Sequence, residues 1–130
     1  VNNEATSPQN KPLILIVEDD RFLSKMYAQK FKIEGFEVII AQDGEQGLKY
    51  ISEQNPQAVL LDMILPKYSG GQLLEKLKEM QKNVVIIALT NLANQEDAQR
   101  AIAMGAKEYL VKAMHTPEEV VNIVKKHLAG

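Results

Sequence analysis

Two hydrophobic patterns alternate along the chain. Leu13-Ile-Leu-Ile-Val17, Phe36 to Ala41, Ala58 to Leu61, Val84 to Leu89 and Glu108 to Val111 are short, mostly unbroken apolar runs rich in β-branched residues. They are too short for typical helices. With little polar alternation, they predict strands buried on both faces, as in a parallel sheet covered by helices. Between them the apolar positions fall three and four apart. Phe22 with Met26, and Leu23 with Tyr27 and Phe31, mark a first helix that Gly35 stops. Asp43 reads as the N-cap of a second, which carries Leu48 and Ile51 and breaks at Asn55-Pro56. After a loop marked by Pro66 and Gly70-Gly71, Leu73, Leu74, Leu77 and Met80 stripe a third helix. Glu96 to Met104 forms a fourth, ending at Gly105. Thr116-Pro117-Glu118-Glu119 is a capped start with acids in the first turn, and Val120, Val121, Val124 and Leu128 give the fifth helix its buried stripe.

Five strands alternating with five helices predict an α/β fold. Parallel neighbours require right-handed crossovers, so the natural packing is a flavodoxin-like (βα)5 three-layer sandwich, a parallel five-stranded sheet of order 2-1-3-4-5. Residues 1–11 are too polar to pack and read as a flexible tail or linker; residues 12–130 form one folded domain. The net charge of -2, with 45% apolar and 25% charged residues, is ordinary globular composition and gives no electrostatic ground for direct nucleic-acid binding. No apolar run approaches the roughly 20 residues of a membrane helix. The polar start does not resemble a signal peptide, and a cytoplasmic location is expected. With no cysteine, disulfides and thiolate chemistry are excluded.

Candidate chemistry appears in the residues that end the strands. Glu18-Asp19 follow the first, Asp62 ends the third, Thr90 the fourth and Lys112 the fifth. Open parallel sheets bind ligands beyond the carboxyl ends of their strands, so these residues are expected to converge. Three carboxylates at one edge repel unless a cation neutralises them, and a hard divalent ion with oxygen ligands, Mg2+, fits best. A lysine and a hydroxyl beside that ion complete a clamp for a phosphoryl group. Asp62 would be the nucleophile that takes it. Singly, each has a plainer reading: Asp62 a turn residue, Thr90 a strand former, Tyr109 packing, Lys112 a solvated charge. Asp20 reads as the N-cap of the first helix, His115 and His127 as surface residues, and Lys125-Lys126 as a solvated helix end.

Taken together, Ile-Val-Glu18-Asp19-Asp20, Leu-Leu-Asp62-Met-Ile-Leu-Pro66, Gly70, Ala-Leu-Thr90 and Gly105-Ala-Lys-Glu-Tyr109-Leu-Val-Lys112 resemble, in order and spacing, the receiver domain of two-component response regulators, from about Lys11 to Leu128. That resemblance implies Asp62 as phosphoacceptor, Asp19 and Asp62 as direct Mg2+ ligands, Glu18 as a ligand through water, and the backbone carbonyl of Ile64 as a further ligand. Thr90 and Lys112 would contact the phosphoryl oxygens. The donor would be a phosphohistidine on a sensor histidine kinase or histidine phosphotransfer protein, and the recipient of the signal a protein effector or output domain. Thr90 and Tyr109 would switch the face formed by the last two helices and the fifth strand. The domain is expected to be a monomer or weak dimer, and not an enzyme.

The chain departs from the family pattern at three places. Ala113 stands where a cis proline is usual; a non-proline cis bond costs roughly 2.5–4 kcal/mol, so the loop either keeps that strain or takes a trans path. Asn91 occupies a position that is usually very small, and Lys107 one where a transcription-factor subgroup often has Asp. A phosphatase using an aspartyl phosphate is disfavoured, since its usual second Asp falls at Ile64, and a flavin carrier because acids replace its phosphate loop. The alternative kept open is a degenerate receiver acting as a phosphorylation-independent interaction module.

Overall fold

The computed structural model describes residues 11–65, 67–91 and 94–130. Ten elements alternate along it: β1 (Leu13–Val17), α1 (Arg21–Ile33), β2 (Glu37–Ala41), α2 (Gly44–Gln54), β3 (Ala58–Asp62), α3 (Gly70–Glu79), β4 (Val85–Thr90), α4 (Gln95–Ala103), β5 (Glu108–Val111) and α5 (Pro117–Ala129). All neighbouring strands are parallel, in the order β2-β1-β3-β4-β5. The tail expected over residues 1–11 lies, but for Lys11, outside the described residues, as does Pro66.

Strand residues alternate between two cores, as a pleated sheet covered on both faces requires. Ile14, Ile16, Leu60, Ile87 and Leu89 pack with Tyr27 and Phe31 of α1 and Val120, Val121 and Val124 of α5. Leu15, Val17, Val59, Leu61, Ile86 and Ala88 pack with Ile51 of α2, Leu73, Leu74 and Leu77 of α3, and Ala101 of α4. β3, central in the sheet, is buried at every residue.

Four details differ from the sequence reading. β2 starts one residue later than expected, at Glu37, which donates its N–H to Pro12 across the sheet. β4 runs one residue later than its apolar run, because Val85 joins the ladder through Gln57 and Thr90 pairs with Val111. α4 starts at Gln95, with the Asn94 side chain accepting from the Asp97 N–H, a cap the apolar pattern does not reveal. Gly70-Gly71 do not form a loop; they open α3, after a Ser69–Gln72 capping box. Lys112 to Met114 form one 3-10 turn between β5 and α5.

Candidate functional site

Register brings the site together. Val17 lies beside Leu61, Asp62 beside Leu89 and Thr90 beside Val111, so the strands finish level and their next residues share one edge. Glu18, Asp62 and Thr90 are buried there, at 1%, 5% and 5% exposure, whereas Asp19 faces solvent. One carboxylate oxygen from each of Glu18, Asp19 and Asp62 lies within 4.8 Å of the others.

Lys112 reaches into this cluster from the end of β5. Its Nζ donates to Glu18 Oε1 at 2.8 Å and to Asp62 Oδ2 at 3.1 Å. Among the described residues there is no cis peptide bond, so Lys112–Ala113 takes the trans path. The amine is aimed at the acids nonetheless. The remaining oxygens are held by backbone: Asp20 N–H donates to Glu18 Oε2 at 3.1 Å, and Ile64 N–H to Asp62 Oδ1 at 3.0 Å. Asp20 itself caps α1, accepting from the Leu23 N–H at 3.0 Å, as expected.

Burial and pairing act on two of these groups. Burial pushes the Glu18 carboxyl up to about 7, and the negative charge of Asp62 adds to this, against the pull of the Lys112 and Asp20 hydrogen bonds. Burial pulls the other way on Lys112, but its bonds to Glu18 and the charge of Asp62 outweigh it and hold the amine charged. Three carboxylates facing one ammonium leave a negative, all-oxygen pocket, the donor set that Mg2+ takes at about 2.1 Å per bond.

Thr90 and Tyr109 face a shared space. Both line a cavity of about 430 Å³ whose walls also include Met63, Leu74, Ala101 and Met104, and Tyr109 is half-buried rather than exposed. Asn91 is exposed and does not enter the core. The histidines need correction. His127 is half-buried, its Nε2 2.7 Å from Glu108 Oε2, and Lys126 Nζ lies 3.2 Å from the same oxygen. Burial raises the Glu108 carboxyl, but these two partners outweigh it and hold it below its usual range. His115 is also half-buried, 3.9 Å from Glu119. Lys125 pairs with Glu34 at 3.1 Å, so the end of α5 is tied to both α1 and β5.

Sequence reasoning missed the close packing of Gly70. A Cβ there would lie 2.6 Å from Met63 Cα and 2.9 Å from the Asp62 carbonyl oxygen, so α3 begins directly against the backbone of the acid. A glycine just after a Ser cap, where an ordinary helix former would serve, is the signal that could have shown it.

The chain is similar to known proteins over most of its length. The sequence profile of the response regulator receiver domain matches residues 14–125. The chain is 32% identical over 118 residues to the chemotaxis protein CheY of Treponema pallidum (strain Nichols), covering 86% of this chain and 82% of that protein. It is 36% identical over 110 residues to the transcriptional regulatory protein CpxR of Escherichia coli (strain K12), covering 85% of this chain and 47% of that protein. The chain thus spans about half the length of the curated transcriptional regulators it matches. Among solved structures, a CheY-like receiver domain protein from Methanospirillum hungatei JF-1 superposes with a TM-score of 0.86 at 30% identity, over 92% of this chain and 95% of that one. The BeF3-activated DrrB receiver domain gives 0.83 at 29% identity, over 92% and 99%.

Proposed function

This chain belongs to the response regulator receiver domain family, and we propose that it accepts a phosphoryl group on Asp62 from a phosphohistidine of a partner kinase or phosphotransfer protein. A carboxylate oxygen of Asp62 forms the new O–P bond as the N–P bond of the donor breaks, and the imidazole leaves with its electron pair. Glu18, Asp19, Asp62 and the Ile64 carbonyl are the residues that would hold Mg2+. When bound, the ion neutralises charge on the transferring phosphoryl oxygens. Lys112 donates to one of those oxygens and the Thr90 hydroxyl to another. The observation that carries the reading is the Lys112 amine, 2.8 and 3.1 Å from two buried acids that lie far apart in sequence.

The acyl phosphate replaces the single charge of the Asp62 carboxylate with about -1.5 to -2 charges, spread over three phosphoryl oxygens at the end of β3. It draws Thr90 toward Asp62, and Tyr109 moves deeper into the cavity that both residues line. The face formed by α4, β5 and α5 is then the output surface for a protein effector or output domain. The chain works as a signalling module of the cytoplasm, as a monomer or weak dimer.

Incubation with a small acyl phosphate tests this. The protein gains the mass of one phosphoryl group only when Mg2+ is present, and Asp62→Asn abolishes the gain. Absence of any gain in the unaltered protein would leave the interaction-module reading in its place.

A further inference from the structure

The loop between Asp62 and α3 also touches a second element, the start of α2. Lys67 adopts a left-handed φ of 67° and its Nζ lies 3.8 Å from Asp43 Oδ2, at the start of α2. The next residue, Tyr68, packs its backbone on Gly44 so closely that a Cβ there would stand 2.0 Å from the Tyr68 carbonyl oxygen and 2.8 Å from its carbonyl carbon. These are backbone atoms, and they can yield only if the loop moves.

The other side of the contact is rigid. The first turn of α2 is closed by two bonds at Gln46, its N–H donating to Asp43 Oδ1 at 2.8 Å and its Oε1 accepting from the Gln42 N–H at 3.0 Å. One turn on, a Cβ at Gly47 would lie 3.2 Å from the Val17 methyls, so α2 is seated directly on β1. The loop is therefore fixed at both ends, by Gly70 against Asp62 and Met63 and by Gly44 against Tyr68. Between these ends lies the Ile64 N–H that holds Asp62 Oδ1.

We infer that Gly44, through its contact with Tyr68, is a positioning residue for the loop that carries Ile64, and that this clamp sets the affinity of the acid cluster for Mg2+. The inference rests on the proposed function and adds to it a residue that touches neither ion nor phosphoryl group. A displaced loop is competent for only a fraction of the time, which weakens apparent affinity by that fraction and leaves the saturated rate intact.

The test is Mg2+ titration of the metal-free domain by calorimetry, with phosphorylation rates at saturating Mg2+ as a second readout. Gly44→Ala is expected to raise the Mg2+ dissociation constant about tenfold, as loss of supporting groups does at other metal sites. Its saturated rate stays within about twofold of the unaltered protein's. Gly71→Ala is the control, since its nearest neighbour, Ser69 Oγ, would be 3.9 Å away; its affinity should stay within about twofold. If Gly44→Ala does not fold, Lys67→Met decides. Removing a positive charge should by itself tighten cation binding, so a weakening of about twofold marks the lost pin on the loop. An unchanged or tightened constant in the deciding variant overturns the inference. If the unaltered protein itself neither binds Mg2+ nor gains a phosphoryl group, it is the proposed function that fails.

Discussion

Helix α5 buries Val120, Val121 and Val124, starts on a Thr116–Glu119 capping box with Pro117 in its first turn, and is tied at its end to Glu34 and Glu108. Helix α4, on the other side of β5, buries Ala101 alone and leaves Ile102 46% exposed. It also borders the cavity of about 430 Å³ that Thr90 and Tyr109 line. Segments with few buried apolar contacts open at low free energy, so the two helices differ in what it takes to move them. On the proposed function, a charge placed at Asp62 would need to supply only a few kcal/mol to shift an element held this loosely. The fold thus places one lightly anchored and one firmly anchored helix around the strand that carries Tyr109 and leads into Lys112.

Substitutions measure that difference directly. Val121→Ala should cost about 2 kcal/mol in denaturant unfolding, from lost burial plus a residual cavity. Ile102→Ala should stay within about 0.5 kcal/mol, the range of surface changes. Equal costs would break the comparison.

Acidity should act on the acid cluster and on the anchored end of α5 in opposite senses. Burial pushes the Glu18 carboxyl up to about 7, so protonation favours the fold when no ion is bound. The stability this contributes is full below the ordinary carboxylate range and is lost as pH rises through 7. Mg2+ competes with that proton, so its affinity should climb by up to about tenfold per pH unit below 7 and then level off. Glu108 is held below its usual range by His127 and Lys126, so its contribution is present at neutral pH and is lost as pH falls through the folded value. Calorimetric Mg2+ titrations across pH check the first effect. Hydrogen exchange at the end of α5, faster in acid than the intrinsic rate explains, checks the second.

A smaller effect comes from the caps. Thr116→Ala removes the oxygen that accepts from the Glu119 N–H and should cost about 1 kcal/mol of global stability. Asn94→Ala, at the start of α4, should cost less globally and appear instead as faster amide exchange confined to α4, because that helix can open without the rest.

Much of this was legible in the sequence because burial on both faces of a parallel sheet writes itself as continuous apolar runs. Leu13 to Val17 and Ala58 to Leu61 needed no other signal, and a polar residue at the end of such a run stands out. Glu18, Asp62, Thr90 and Lys112 were found that way, and the structure brings all four to one edge. What escaped depends on contacts remote in sequence. No local pattern says that His127 will meet Glu108, that Tyr68 will lie on Gly44, or that α3 will begin on the Asp62 backbone. The trans bond at Ala113 could be posed as a choice from the chain, but only the packed loop decided it. The weak anchoring of α4 was half visible: its segment lacks the stripe of β-branched residues that marks α5.

The most direct measurement asks which of three neighbouring carboxylates carries phosphorus. After reaction with Mg2+ and an acyl phosphate, borohydride reduction converts a phosphorylated aspartate to homoserine, and peptide sequencing by mass spectrometry locates it. Homoserine at position 62, and unmodified Glu18 and Asp19, is the predicted result. Label on Glu18 or Asp19 with Asp62 untouched would contradict the account.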